Sequence, residues 1–346
     1  MKKLIVLLSF LWLLISCSNE LAPKSSAGKR NAEQTGSIPE GAEKITLACW
    51  NTQTFFDAVK DGTEYKDFQN QENWTKEKYT KRLSSLCEVM MLISPDIMVL
   101  EEIENEAVIQ DVVNQLAGSS WDKKKCWQYV CFAKEPGSAI GCAVFSRYEL
   151  FDMKVHAMDI RVHKESQPSS RPLIQVKIKT ADKEFALFVN HWKSKSGGEE
   201  ETEIWRDWQE ALLAESISQY CSSAGGDAYF VVCGDFNRSA EDFVISPDTK
   251  NGTNTVFRCG DNSQLCVYSP WLDKNGRCQE GSGSYCYNDK WERIDNIFVG
   301  KSSDITRFQT VSIPPLVDND GKPDAYKLYN ATGYSDHLPL KCVLVL

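Results

Sequence analysis

Asparagine, carboxylate and imidazole side chains recur in this sequence at one kind of place, the C-terminal end of a short apolar run. Ile45–Trp50 ends in Asn51, Ile97–Leu100 in Glu101 and Glu102, Phe185–Asn190 in His191, and Tyr229–Cys233 in Gly234-Asp235-Phe236-Asn237. Arg293-Ile294-Asp295-Asn296 opens a further apolar run, and Ser335-Asp336-His337 precedes the last. Carboxylate and amide oxygens are the donors that hard divalent cations take. An imidazole can carry charge or move a proton near neutral pH. Strand ends that converge on one rim of a sheet can gather such groups around a common point. Any one of these residues alone reads more readily as a solvated loop residue or a helix cap; it is the set together that points to chemistry.

The elements that must hold them alternate along the chain. Ile45–Cys49, Ile97–Leu100, Phe185–Val189, Tyr229–Cys233, Ile294–Val299 and Cys342–Leu346 are short and rich in Val, Ile, Leu and Phe, as buried strands are. Leu173–Ile178 partly alternates and predicts a half-buried strand. Leu83, Leu86, Met90 and Ile93 fit one helical face, closed by Ser94-Pro95; Val108, Val112 and Leu116 fit another, ended by Gly118. A third helix is expected to bury Trp205, Trp208, Ala211 and Leu212. Such a mixture favours two layers of sheet with helices outside, or a doubly wound sheet.

The chain has 346 residues and a formal charge of -9. A protein that grips duplex DNA over a wide face is usually basic. The acidic balance argues against that class, but leaves room for a small cationic site or for a metal ion carrying the positive charge. Lys2 and Lys3 precede an apolar run from Leu4 to Ile15. That run is too short to cross ~30 Å of hydrocarbon and reads as a secretory leader. Ser16-Cys17 resembles a bacterial lipobox, which implies cleavage before Cys17 and its acylation. Three segments are expected: a leader over 1–16, the lipidated Cys17 with a polar tether over 17–44, and one domain over 45–346. The expected location is the bacterial cell envelope, anchored to a membrane outside the cytoplasm. Apart from Cys17 there are twelve cysteines. Cys259, Cys266, Cys278 and Cys286, in a Gly/Ser/Asn-rich stretch, are expected to form loop-stapling bridges; Cys49, Cys233 and Cys342 are expected to be buried thiols.

The segments Trp50-Asn51-Thr52-Gln53, Leu100-Glu101-Glu102-Ile103-Glu104-Asn105, Val189-Asn190-His191-Trp192-Lys193-Ser194-Lys195, Gly234-Asp235-Phe236-Asn237, Ile294-Asp295-Asn296 and Ser335-Asp336-His337 occur in the order found in one superfamily. On them the chain resembles the endonuclease/exonuclease/phosphatase, or deoxyribonuclease I-like, superfamily, and is most similar to its bacterial extracellular nucleases. The resemblance implies a four-layer αββα sandwich, with two mixed sheets face to face and helices outside. It implies a Mg²⁺ cofactor, with Mn²⁺ or Ca²⁺ as alternatives, held by Glu102 with Asn51 and Asp336 assisting. Asp235 would orient or deprotonate water, with Asn237 holding the water or a phosphate oxygen. His337, fixed by Asp295, would meet the charge building on phosphate. His191 would protonate the leaving oxygen or contact phosphate; its acidic partner is left open between Glu135 and Glu149. Arg171 matches a phosphate-contacting arginine. Glu101 and Glu104 are expected to be solvated or capping. Trp192 is expected to stack on a base or to pack beside the site. The implied activity is phosphodiester hydrolysis by a monomer, with nucleic acid as substrate. Alternatives are a lipid headgroup, as for sphingomyelinases and inositol phosphatases, and a non-catalytic surface binding module.

Overall fold

A computed structural model of the chain describes residues 4–7, 42–70, 72–158, 170–225, 228–248, 252–259, 264–273, 275–278 and 283–346. Cys17, the rest of the leader and most of the tether lie outside the described residues.

Two large mixed sheets face each other. The first orders its strands Leu4–Leu7, Tyr129–Ala133, Gly141–Ser146, Ile97–Ile103, Lys44–Phe55, Leu340–Val345 and Asp304–Thr310. The second orders Asp295–Val299, Tyr229–Asp235, Glu184–His191, Leu173–Lys179 and Glu149–His156. The sequence makes both faces of the central strands apolar, and the period of two divides their side chains cleanly. Ile45, Leu47, Cys49, Ile97 and Val99 point between the sheets, where they meet Phe185, Leu187, Val189, Val231 and Cys233. Ala48, Trp50, Met98 and Leu100 point the other way, under two helices. Ala186, Phe188, Phe230 and Val232 point outward from the second sheet, under a third helix. The result is the αββα sandwich expected from the resemblance.

The two helices over the first sheet end where the sequence predicts. Thr75 caps Lys76–Ile93 by accepting the Lys78 N–H at 3.3 Å, and Ser94 ends it in the left-handed region before Pro95. Asn105 caps Glu106–Gly118 through the Val108 N–H at 3.0 Å. The third helix, Glu199–Ala224, departs from expectation. Its buried face is Trp205, Arg206, Gln209, Glu210, Leu213, Ile217 and Tyr220, while Trp208 is 44% exposed. The polar members of that face are fully satisfied. Arg206 donates to Glu199 O, Lys193 O and the Thr202 hydroxyl, and Glu210 accepts from Arg238 and Arg258. Charged residues on the inward side hide the helical period from a count of apolar ones.

Cys49, Cys233 and Cys342 are buried between the sheets, joined there by Cys131 and Cys142. All twelve described cysteines are free, so the expected loop bridges are absent. Cys266 is held in a strand pair opposite Val256, Cys286 lies opposite Trp291 in a hairpin, and the Cys278 thiol donates to Glu241. Each belongs to a different local structure, and loop composition carries no information about that.

Candidate active site

Strand register brings three of the candidate residues into one row. His191 pairs with Asp235 across a parallel ladder, and Asp235 pairs with Asp295 across an antiparallel one. Gly234 makes that row compact. Its φ is +129°, and a Cβ there would stand 1.9 Å from the Asn190 carbonyl oxygen, so only glycine fits.

The facing sheet supplies Asn51 and Glu102. The ladder between their strands is parallel, with Asn51 opposite Glu101, and its register breaks between Asn51 and Phe55. At the break Gln53, Thr54 and Glu102 have φ of 54°, 51° and 63°. A non-glycine residue in that region costs about 1–3 kcal/mol. The distortion turns the Glu102 carboxylate toward Asn51, where strict alternation would turn it away. Two contacts hold it: the Thr54 N–H donates to Glu102 Oε2 at 2.5 Å, and Asn51 Nδ2 donates to Glu102 Oε1 at 3.1 Å. Asn51 Nδ2 also reaches across to Asp235 Oδ2 at 3.0 Å.

Glu102 Oε1 and Asp235 Oδ2 thus converge on one amide nitrogen. The same two oxygens lie 3.6 and 3.8 Å from His191 Nε2. Two carboxylates from facing sheets, sharing donors at the sandwich rim, form an oxygen-rich pocket of the kind a hard divalent cation takes. The donor set fits such an ion, with Glu102 as a holding residue; Asn51 presents Nδ2 here while its Oδ1 accepts the Gln53 N–H at 3.0 Å, so it would join Glu102 as an oxygen ligand with its amide turned over. Asp336 is half-buried beside His337, its N–H donating to Gln53 Oε1 at 3.1 Å. It makes no hydrogen bond to Asn51 or Glu102, so it stands a step away from the other two members of the expected ligand set.

The opposite wall of the pocket is the His337–Asp295 pair. His337 Nδ1 lies 2.8 Å from Asp295 Oδ2. Trp50 Nε1 donates to the His337 carbonyl at 2.9 Å, and Ser335 Oγ accepts the His337 N–H and donates to Asn51 O. Tyr285 lies against the imidazole with ring centroids 4.8 Å apart. Burial alone would pull the imidazole toward neutrality, but the charge and hydrogen bond of Asp295, with Asp336 and Asp235 behind them, raise its pKa well above the usual histidine range. His337 is a held cation whose Nε2 can face a substrate. His191 is the reverse case. Burial, then Arg171 and His337, push its pKa well below the ordinary value, and its Nδ1 is buried without a partner. Asp235 is pushed up to about 7 by burial and by Asp295, against the pull of His337, Asn237 and Asn51.

Residues 46–344 match the Endonuclease/Exonuclease/phosphatase family. The chain belongs to that family. It is therefore a metal-dependent phosphoric ester hydrolase. Solved structures share the fold at low sequence identity. Truncated TDP2 from Caenorhabditis elegans aligns with a TM-score of 0.55 at 13% identity, covering 88% of this chain and 98% of that one. The human Nocturnin catalytic domain with bound sulfate gives 0.53 at 17%, with coverage of 88% and 98%. D. rerio TDP2 complexed with single-strand DNA product gives 0.51 at 17%, covering 87% and 98%. No curated protein matches the chain.

In this endonuclease/exonuclease/phosphatase chain the candidate residues Asn51, Glu102, His191, Asp235, Asn237, Asp295 and His337 lie together. Asn237, at φ 47°, donates its N–H to Asp235 Oδ1 at 2.8 Å and its Nδ2 to Trp192 O at 3.2 Å. Arg171 stands at the rim, close enough to act electrostatically on both Tyr65 and His191. Neither Glu135 nor Glu149 serves His191. His191 Nδ1 has no partner, and Glu149 lies at the far end of the second sheet, opposite Lys179, which itself faces Glu184 at the start of the His191 strand. Trp192 packs in the core against Phe236 and Phe243, its Nε1 donating to Asn190 Oδ1, so it offers no face to a base. Lys195 is spent on Glu199 and Glu292 at 2.8 and 2.9 Å.

Glu101 and Glu104 are buried, contrary to expectation. Glu101 points between the sheets with both oxygens unpartnered, and burial, then Cys49 and Asp295, raises its pKa well above the carboxylate range. It is a neutral acid beneath the pocket. Strand alternation offered a signal, since two adjacent glutamates in a strand cannot both face solvent when both faces are covered. Nothing in the sequence around Arg82 marks it as a residue of the site. It is buried in the Lys76–Ile93 helix, and its guanidinium donates to the carbonyls of Thr52, Gln53 and Thr54 at 2.9, 2.5 and 3.0 Å. It also lies over the Tyr326 ring at 3.8 Å. It braces the distorted segment that follows Asn51.

Proposed function

We propose that the chain hydrolyses phosphodiester bonds of nucleic acid with Mg²⁺ as its cofactor. The observation that carries this reading is the convergence of Glu102 and Asp235 beside a carboxylate-held, cationic His337. A phosphodiester resists attack because its anionic oxygens repel a nucleophile. Mg²⁺ held by Glu102 and Asn51 would supply the charge that offsets this. Asp235, fixed through the Asn237 N–H, accepts a proton from the attacking water when ionised. His337 directs Nε2–H at the phosphoryl oxygen on which charge builds, and Asp295 keeps it protonated there. His191, held neutral by burial, hydrogen-bonds to phosphate, and as the P–O bond to the leaving group breaks its oxygen takes a proton from solvent water. Arg171 meets a neighbouring phosphate at the rim.

Nucleic acid as the substrate class is supported by the fold shared with D. rerio TDP2, whose structure contains a single-strand DNA product. The charge of -9 fits local contacts to a single or frayed strand better than a broad grip on duplex. Placement outside the cytoplasm through a lipid on Cys17 completes the proposal. Labelling with radioactive palmitate, lost in Cys17→Ser, is the result expected for the anchor; unlabelled wild-type protein would remove it.

The activity is tested by incubating the purified chain with plasmid DNA, RNA or sphingomyelin, in Mg²⁺ or in EDTA. Nucleic-acid cleavage that disappears in EDTA and in His337→Ala is expected. Hydrolysis of sphingomyelin alone would overturn the substrate class. Absence of metal-dependent hydrolysis of any phosphate ester would overturn the reading as a whole.

A further inference from the structure

The loop after the Asn51 strand carries a second group of carboxylates that the proposed hydrolysis does not use. Asp61, Glu64 and Glu104 each bring an oxygen within 4.8 Å of the others. Asp61 is exposed, while Glu64 and Glu104 are buried. Backbone donors orient part of the group. The Asp61 and Gly62 N–H groups donate to Glu64 at 2.6 and 3.0 Å, the Thr63 N–H to Asp61 Oδ1 at 2.8 Å, and the Asp57 N–H to Glu104 Oε2 at 2.5 Å. Glu104 Oε1 remains buried with no partner, although Glu104 is fully sequestered and its carboxylate belongs to the cluster. A buried carboxylate oxygen without a donor is costly and rare in native structures. Lys134 acts on Asp61, while burial of Glu104, with Asp57, Glu64 and Asp61 around it, pushes its carboxyl up to about 8, so a bound cation is what would hold all three groups ionised together.

We propose that Asp61, Glu64 and Glu104 form a second divalent-cation site, separate from the catalytic pocket and suited to Ca²⁺. All the donors are oxygens, which selects a hard cation. One comes from the residue that follows the Ile97–Ile103 strand, two from a short loop, and the open side lies at exposed Asp61, where water would complete the shell. Ca²⁺ tolerates such an irregular set, whereas Mg²⁺ demands a near-ideal octahedron. The hydrogen bonds from the loop amides hold two of the ligands as outer-sphere contacts hold metal-binding carboxylates elsewhere. The cation would supply the partner that Glu104 Oε1 lacks. It would also fix residues 57–64 against Glu104, and thereby set Tyr65, which neighbours Arg171 at the rim of the catalytic pocket. Its role is to brace that rim.

The site is tested on the whole chain with Glu102→Gln as background, which removes a holding residue of the catalytic metal. Equilibrium dialysis with radioactive Ca²⁺ is expected to show one ion bound per chain in this background. Asp61→Asn, in an exposed loop position that does not threaten folding, is expected to weaken that binding by roughly tenfold or more. Ca²⁺ is expected to raise the unfolding temperature of the background protein and to do so much less after Asp61→Asn and Glu64→Gln are added. No Ca²⁺ bound by the Glu102→Gln protein would overturn the proposal, as would binding indifferent to Asp61→Asn. Either result leaves the phosphodiesterase reading standing, because that reading is decided by hydrolysis in Mg²⁺.

Discussion

His337 and Asp235 are two buried groups displaced from their ordinary charge states in ways that hydrolysis can use. The His337 imidazolium is sustained by Asp295 at 2.8 Å. With its native pKa raised, its contribution to stability is complete below its unfolded value of about 6.5 and is lost as pH rises through the native value. The same deprotonation removes the donor aimed at phosphate, so the rate falls on the alkaline side. Asp295→Asn is expected to move that alkaline limb to lower pH and to cut kcat at pH 8 by roughly 10²–10⁴. A pH–rate profile decides it, and an unmoved limb would count against the pairing. Asp235 has the opposite sign. Its native pKa near 7 exceeds the unfolded value, so ionising it between about 4 and 7 destabilises the fold. Asp235→Asn should therefore lose roughly 10²–10⁴ in rate and yet melt a few °C higher at pH 8 in metal-free buffer, a gain of about 1–2 kcal/mol. Scanning calorimetry checks the sign. These residues were legible in the sequence because a charged or amide side chain stands out against an apolar run. Glu101 was harder to place, because its burial follows from the neighbour across the ladder and from the second sheet.

At the level of elements, the strands were readable and the distortion between them was not. Ile45–Cys49 and Tyr229–Cys233 announce buried strands by composition alone, but nothing in Thr52-Gln53-Thr54 announces left-handed backbone. That conformation is imposed by Arg82, almost thirty residues later, through three carbonyls. Arg82→Met should fold with reduced stability and raise the Mg²⁺ concentration needed for half-maximal rate by about 10–100-fold, as loss of a supporting contact does at other metal sites. A metal titration of rate measures this; unchanged half-saturation would show that the segment holds itself. The parallel ladder between the His191 and Asp235 strands makes a sharper demand. With a Cβ directed at the Asn190 carbonyl, Gly234→Ala should cost at least about 2 kcal/mol in a urea titration. The Glu199–Ala224 helix shows why a buried face is hard to read from apolar residues alone. Its limits follow from Gly198 and Gly225, while its inward side includes an arginine and a glutamate whose partners lie in other segments.

Across the whole molecule the charge balance and the sandwich set how substrate is met. With Arg171 and His337 as the site's cations toward phosphate, roughly two counterions are displaced, and the affinity for single strands should fall with log salt at a slope of about -1.4. A binding isotherm at several salt concentrations tests this, and a slope several times steeper would require a basic surface elsewhere. The sandwich was legible from the mixture of runs and helices together with six ordered motifs. The free loop cysteines were not, since compartment and spacing say nothing about which local structure holds each sulfur.

The thiols of Cys49, Cys131, Cys142, Cys233 and Cys342, sealed between the two sheets, give the interior a clock. Burial pushes the Cys131 thiol up to about 12, so in the closed sandwich it is both unreachable and un-ionised. An alkylating reagent added to the native protein would first consume cysteines outside this layer, such as Cys126 and Cys221, and then wait for the sheets to part. The slow phase of labelling would thus time the separation of the two sheets that carry Glu102 and Asp235. Its slowing on addition of Mg²⁺ would report, without any substrate present, how far an ion held on one sheet steadies its contact with Asp235 of the other.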